Sequence, residues 1–222
     1  MWQIIARIRN DYDVKFGVPR QSGLVPEVIS GIVFEPEYRK PEALRGLEGF
    51  SHLWLIWEFD RVNHKGWHPT VRPPRLGGNT RVGVFATRSP YRPNPIGLSC
   101  VRLLGQEMTE EGIVLKVSGA DLVNGTPIYD IKPYLPYTDC HPEASGGFTD
   151  QMPGRKLRVV FPREGRKNIS PELEARLRAV LEKDPRPAYQ EDPEREYAFE
   201  FAGRHIVFRV REDELTVVSV EG

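Results

Sequence analysis

The densest chemistry in the chain lies in one loop: Ala86-Thr87-Arg88-Ser89-Pro90-Tyr91-Arg92-Pro93-Asn94-Pro95-Ile96-Gly97-Leu98-Ser99. Pro90, Pro93 and Pro95 fix the backbone and pre-order it. Arg88 and Arg92 bring forked donors that suit a carboxylate or a phosphate. Tyr91 adds a flat face for stacking. A rigid, basic, aromatic loop is more than two strands need to be joined, and it reads as a binding site. Its charge setting agrees. Between Asp60 and Glu107 there is no acidic residue, while Arg61, Lys65, Arg72, Arg75, Arg81, Arg88, Arg92 and Arg102 all fall inside. A one-signed run of this length fits an anionic ligand; a solvated face balanced by acids elsewhere in space would also account for it.

Other reactive pairs are weaker. His64 and His68 have the spacing of two ligands on a helix, but Gly66 between them and Pro69 after them oppose a helix. They read as loop histidines, and no metal is expected. Cys100 sits in an apolar strand and reads as core. Cys140-His141 is a candidate nucleophile pair, but Pro142 follows it and no activating constellation is visible. Nowhere are two glycines separated by a single residue. The dinucleotide fingerprint and the Gly-rich turn of Rossmann methyltransferases both need such a pair. No Walker-type loop occurs either, so the chain does not read as one of the common α/β cofactor folds.

These groups must be positioned by a real core. The chain has 222 residues, 39% hydrophobic and 28% charged, with 31 basic and 31 acidic side chains. That composition belongs to a globular chain of one large β domain, or of one domain plus an appendage. Zero net charge argues against coating nucleic acid by global charge. The absence of a long apolar run and of a signal-like N-terminus predicts a cytoplasmic protein that meets no membrane. Cys100 and Cys140 alone support no disulfide framework.

The pattern of elements is mainly β. Alternation over Trp2–Ile8 predicts a strand, and Val28–Phe34 a second. His52–Phe59 is apolar on both faces, as in a central strand. Val82–Ala86, Gly97–Leu104, Ile113–Val117 and Thr126–Ile131 continue the series, with turns such as Asn124-Gly125 between them. Many short strands without long helices predict a closed or nearly closed barrel. Arg61–Thr80 and Tyr134–Gly154 are long loops, functional or lid-like. One helix begins at the cap Ser170, with Pro171 at its first position, carries Leu173, Leu177, Val180 and Leu181 on one stripe, and stops at Asp184-Pro185. Strands follow at Tyr197–Phe201, Arg204–Val210 and Leu215–Val220, with Ala202-Gly203 as a hairpin turn. Residues 1–150 are expected to form the barrel domain, and 157–222, starting with the strand Leu157–Phe161, a small α+β domain.

Several motifs, in order, carry a resemblance that covers almost the whole chain: Lys15-Phe16-Gly17-Val18-Pro19-Arg20-Gln21-Ser22-Gly23-Leu24; Leu44-Arg45-Gly46-Leu47-Glu48-Gly49-Phe50-Ser51-His52-Leu53-Trp54; Val71–Asn79 running into the Arg88–Ser99 loop; Asp121-Leu122-Val123-Asn124-Gly125-Thr126-Pro127; Asp130–Tyr137; and Asp184-Pro185-Arg186-Pro187-Ala188-Tyr189. Through them the chain resembles the TsaA-like family, whose bacterial members are TrmO-type tRNA methyltransferases.

The resemblance implies a non-Rossmann β-barrel methyltransferase that uses S-adenosylmethionine. It implies methylation of the N6 nitrogen of N6-threonylcarbamoyladenosine, beside the anticodon of threonine tRNA, by a homodimer. It also implies cofactor contacts at Ser22, Gly23, Leu24, Asp60, Arg61, Arg88, Leu98, Ser118, Gly119, Ala120 and Asp121. Asp60 stands where members often have His, and Asn124 replaces a frequent Asp. Asp121 and Asp130 are the candidate catalytic carboxylates, with turn capping as the alternative for both, and for Asp130 above all. Arg92, Tyr91 and Lys132 are candidates for the tRNA, with Arg88 also able to meet the threonyl carboxylate. Two other functions fit the same residues: a methyltransferase for another RNA or small substrate, or a non-catalytic nucleotide- or RNA-binding barrel.

Overall fold

The computed structural model describes residues 2–62, 67–77, 79–150, 156–166, 169–186 and 192–222. His64, Lys65 and the stretch Pro187-Ala188-Tyr189 therefore lie outside the described residues.

The strands run in chain order as β1 (Ala6–Arg9), β2 (Ile29–Phe34), β3 (His52–Glu58), β4 (Thr70–Val71), β5 (Val82–Gly83), β6 (Ile96–Thr109), β7 (Gly112–Ser118) and β8 (Pro127–Pro133). A short helix α1 (Pro136–Asp139) follows, then β9 (Arg158–Val160), helix α2 (Pro171–Leu181), β10 (Glu196–Phe201), β11 (Arg204–Arg211) and β12 (Glu214–Glu221). Six strands pair antiparallel around a ring in the order β1-β2-β7-β6-β3-β8. The seam that returns to β1 is thin: only Ala6 with Ile128 and Arg7 with Pro127 are in register across it. The barrel expected from the alternating runs is this ring, and the chain is mainly β as expected.

Each ring strand turns alternate side chains inward. Ala6, Ile8, Ile32, Phe34, Leu53, Leu55, Trp57, Val101, Leu115, Val117 and Ile128 form one buried core. β3 pairs with β6 on one side and β8 on the other, so it is central. Its outward Trp54 is covered differently: the indole donates to Asp139 Oδ2 of α1 at 2.8 Å.

Three expectations need adjusting. The first strand starts at Ala6 rather than Trp2, because Trp2 is exposed. Val82–Ala86 is not a ring strand: Val82 and Gly83 pair with β4, and Val84–Ala86 closes into a 3-10 turn. β6 runs on to Thr109, its register shifting between Leu103 and Gly105.

The second sheet has the order β10-β11-β12-β9, with β9 parallel to β12. Helix α2 is capped by Ser170, whose hydroxyl accepts from Leu173 N at 3.2 Å. The hairpin turn Ala202-Gly203 adopts φ of 53° and 69°, the conformation of a type I′ turn. The core beneath this sheet also holds Tyr12, Val25 and Val28, with Val14, Phe16 and Val18 packed against it. A segment near the N-terminus is thus built into the C-terminal layer.

Candidate functional site

The site grows from the segment between β1 and β2. At its tip, Gln21, Ser22 and Gly23 leave the second core and touch the ring. Gly23 N donates to the Gly119 carbonyl at 2.8 Å. Ser22 Oγ accepts from the backbone N of Cys100 at 3.2 Å. Gln21 Oε1 accepts from Arg88 Nη1 at 2.6 Å. Gly23 and Gly119 have φ of 78° and 77°, and a Cβ on Gly119 would lie 3.0 Å from Gly23 Cα. A side chain at Gly119 would crowd this approach, and both residues use the positive φ that glycine adopts readily. A Cβ on Gly23 meets nothing within 4 Å, so that side of the turn is open.

Inside the ring, Gly97 and Ser99 make room for a buried indole. Trp57 is the cross-strand partner of Gly97, and a Cβ there would sit 2.2 Å from the indole. Trp57 Nε1 donates to Ser99 Oγ at 2.9 Å, and Ser99 Oγ donates to Asp121 Oδ1 at 2.5 Å. Burial pushes the Asp121 carboxyl up to about 6. The Ser99 hydroxyl, the Asp121 backbone amide, the Arg88 charge and the Ser22 amide all pull it back toward the ionised form.

Of the sequence-predicted residues, Ser22, Gly23, Arg88, Gly119 and Asp121 therefore meet at one place. Leu24 and Leu98 present exposed apolar surface. Ser118 ends β7 and Ala120 is sunk in the ring core. Arg61 is a tie: Nη1 donates to the Asp13 carbonyl at 3.1 Å, and Nη2 donates to the Asn124 carbonyl. Asp60 is exposed just past β3. Its charge adds to burial and to the Glu58 hydrogen bond in holding Tyr129 up at about 12.

Asp130 does not join this cluster. Its Oδ1 accepts from Ile131 N at 2.9 Å and its Oδ2 pairs with Lys132 at 2.9 Å. Arg92 folds onto its own loop, with Nη1 donating to the Thr87 carbonyl at 2.9 Å, and its guanidinium lies 6.0 Å from the Phe85 ring centroid. Tyr91 is exposed. Gln21, Trp57, Ser99 and Phe85 are participants that sequence reasoning passed over. The pairing of a large indole with Gly97 was the available signal for the inner pair. Phe85 stands with Trp67 in an exposed stack, centroids 6.4 Å apart. Among the described residues no group of three or more His, Cys, Asp or Glu is placed to hold a metal, and no helix is long and apolar enough to cross a membrane.

Comparisons with known proteins converge. Residues 7–140 match the family model described as the tRNA-methyltransferase O N-terminal domain, and residues 156–222 match the TrmO C-terminal domain. The chain is similar to the Escherichia coli tRNA (adenine(37)-N6)-methyltransferase, 43% identical over 98% of this chain and 96% of that one. It is 41% identical to a putative S-adenosylmethionine-dependent methyltransferase of Pseudomonas aeruginosa, over 87% of this chain and 85% of that one. The crystal structure of TrmO from P. aeruginosa superposes with a TM-score of 0.80 at 31% identity, covering 100% and 98% of the two chains.

Proposed function

The chain belongs to the TrmO family of S-adenosylmethionine-dependent tRNA adenine(37)-N6-methyltransferases, and from that premise we propose that the Ser22–Arg88–Asp121 cluster holds the cofactor while the adjoining basic face takes a tRNA carrying N6-threonylcarbamoyladenosine. The protein is an enzyme, a tRNA methyltransferase. The proposal concerns which residues do the work and which modified adenosine is methylated.

The residues fit the cofactor's chemistry. S-adenosylmethionine carries a carboxylate, an ammonium, ribose hydroxyls, an adenine and a positively charged sulfur bearing an electrophilic methyl. Arg88 is a cation for a carboxylate. Asp121 and the Ser22 hydroxyl can receive an ammonium or a hydroxyl. Leu24 and Leu98 offer exposed apolar surface, suited to a purine. The open side of Gly23 lets a ligand approach the backbone. None of this calls for a metal.

The receiving nitrogen is a poor nucleophile, because its lone pair is shared with the purine and the carbamoyl group. Alignment must supply much of the rate, and the hydrogen-bonded frame of Trp57, Ser99 and Asp121 gives the rigidity that alignment needs. N6 must also lose its proton. Asp121, titrating near 6, is suited to accept a proton at neutral pH. Asp130 is committed to Lys132 and serves the strand surface. The threonyl carboxylate of the substrate would find Lys132 or Arg92 as its cation. We further propose threonine tRNA as the acceptor, a homodimeric assembly, and a cofactor-binding unit of residues 1–150 with 157–222 attached to it.

The convergence of Gln21–Gly23 from one layer with Arg88, Ser99 and Gly119–Asp121 of the other carries this reading. Calorimetry with S-adenosylmethionine in the presence of chelator should show binding. Methyl transfer should then be compared on threonine tRNA with and without the threonylcarbamoyl group. Equal rates on both would remove the modified adenosine as the required substrate; loss of binding with chelator would remove the metal-free pocket.

A further inference from the structure

We infer that the second sheet and helix α2 act as a brace that sets the Ser22–Gly23–Leu24 turn against the ring, making Phe16 and Arg20 positioning residues for the cofactor; this rests on the reading of that turn as cofactor-binding. Both flanks of the turn are sunk in the second core: Tyr12, with Val14, Phe16 and Val18, on one side, and Val25 and Val28 on the other. The Phe16 ring lies 5.7 Å from that of Phe199 and 6.2 Å from that of Phe208, centroid to centroid. Gly17, at φ 94°, presses its backbone onto the Phe199 ring, where a Cβ would come within 2.5 Å. Arg20 Nη2 donates to the Arg186 carbonyl at 2.9 Å.

A second set of bonds locks the base of the segment. Gly203 N donates to Asp13 Oδ2 and Ala202 N to the Asp11 carbonyl, each at 2.9 Å. Arg176 pairs with Asp11 at 3.2 Å. Arg61 then carries the connection from the Asp13 carbonyl to the ring at Asn124. The segment has no helix or strand between Arg9 and Ile29, so its own backbone bonds cannot hold it. Its start is held by the ring, where Asn124 N donates to the Tyr12 carbonyl at 2.8 Å and Asn10 Nδ2 to the Leu122 carbonyl at 2.9 Å; from Val14 to Val28 its shape comes from the layer beneath. Only three residues at its tip are left to meet Gly119, Cys100 and Arg88. A shift of the sheet or of α2 would therefore move the turn relative to Arg88 and Asp121.

Energetic coupling of this kind is reciprocal. Cofactor binding should stabilise the second sheet, and weakening the brace should weaken cofactor binding. The test uses the full chain. Calorimetry with S-adenosylmethionine is run on the wild type, Arg20→Ala, Arg20→Lys, Phe16→Ala and Phe16→Leu, together with hydrogen exchange read by mass spectrometry. Arg20→Ala removes the part-buried hydrogen bond to the Arg186 carbonyl and should weaken binding about fivefold or more, with Arg20→Lys recovering most of it. Phe16→Ala should weaken binding at least as much, and Phe16→Leu less. KM for the cofactor should rise while kcat at saturating cofactor holds. In the wild type, the cofactor should slow exchange in residues 12–18 and in β10 and β11, which carry none of the proposed cofactor contacts. Wild-type affinity in both Arg20→Ala and Phe16→Ala, or protection confined to the ring strands, would overturn the brace. A wild-type chain that does not bind S-adenosylmethionine would overturn the pocket and the brace together.

Discussion

Ser99 and Asp121 are joined by a 2.5 Å hydrogen bond within the ring, and Trp57 fixes the donor's hydroxyl by donating to it in turn. The carboxylate is thereby aimed while burial works against its charge. Its value of about 6 stands above the ordinary 3.8. A raised carboxyl favours folding of the protonated form, so its contribution is whole below about pH 4 and is lost as pH rises through about 6. The ionised Asp121 thus costs stability at neutral pH, up to about 3 kcal/mol from the size of the shift. The proposed cofactor contact would offset that cost.

Asp121→Asn should consequently be more stable than the wild type at pH 8 and a worse enzyme. Its amide oxygen can still accept from Ser99. Thermal midpoints measured from pH 4 to pH 8 should diverge as pH rises, while cofactor affinity falls at least tenfold. In the wild type, cofactor binding should weaken as pH drops through about 6. A variant that is destabilised at pH 8, or that binds normally, would show that Asp121 is a structural acid.

Gly97→Ala tests the frame behind Asp121. The added methyl would collide with the Trp57 indole and displace the donor that orients Ser99. Overpacking of this kind costs about 1–3 kcal/mol. Ser99→Ala leaves Trp57 Nε1 buried without its acceptor, at about 1–3 kcal/mol. Urea unfolding should show both losses, and the Ser99→Ala variant should move the pH dependence of cofactor binding to higher pH, since a bond that holds the carboxyl down has gone.

Much of this arrangement was legible in the residues. Alternating runs announced the ring, and Ser170 with its leucine stripe announced α2. The prolines and arginines of residues 86–99 marked one wall of the site. The opposite wall was not legible by periodicity: residues 10–28 have no regular element, so the apolar spacing of Tyr12, Phe16 and Val25 follows no helical or strand rule. Their partners, Phe199 and Phe208, lie far along the chain. Ser99 and Trp57 read as ordinary strand residues, because alternation shows which face is inward and says nothing about which inward groups bond one another. Val82–Ala86 read as one more strand of the series, but its neighbour is the short β4, which could not extend the pairing.

Variants of Arg88 and Arg92 test whether cofactor binding can be separated from loop integrity. It reaches Gln21 across the site, whereas Arg92 bonds carbonyls within its own loop. Arg88→Ala should lower cofactor affinity by about tenfold or more, the scale of a lost charged hydrogen bond, with little change in the urea midpoint. Arg92→Ala should lower the stability of the loop and impair cofactor and tRNA use together. If Arg92→Ala impairs only tRNA use, its guanidinium leaves the Thr87 carbonyl to serve the substrate directly.

The approach of tRNA is the last point that mutation can resolve. Trp67 and Phe85 form an exposed stack whose ring planes are 26° apart, with Arg92 over the Phe85 ring; Tyr91, next to Arg92 in sequence, is also exposed. They stand in the stretch between Asp60 and Glu107 that carries no acid, the stretch proposed to meet the tRNA. Unpaired bases are held on aromatic faces at about 1–3 kcal/mol each. Phe85→Ala should therefore raise KM for tRNA about tenfold while leaving cofactor affinity within twofold. Arg72 is exposed and set among prolines. If it touches a phosphate, Arg72→Gln should reduce the slope of log affinity against log salt by roughly 0.7–0.9. The two variants should differ in kind, Phe85→Ala weakening binding at every salt and Arg72→Gln mainly at low salt. Light scattering on the same samples decides the competing use of this face. A Phe85→Ala protein that turns from dimer to monomer, with an unchanged salt slope for tRNA, would assign the aromatic stack to a second copy of the chain rather than to RNA.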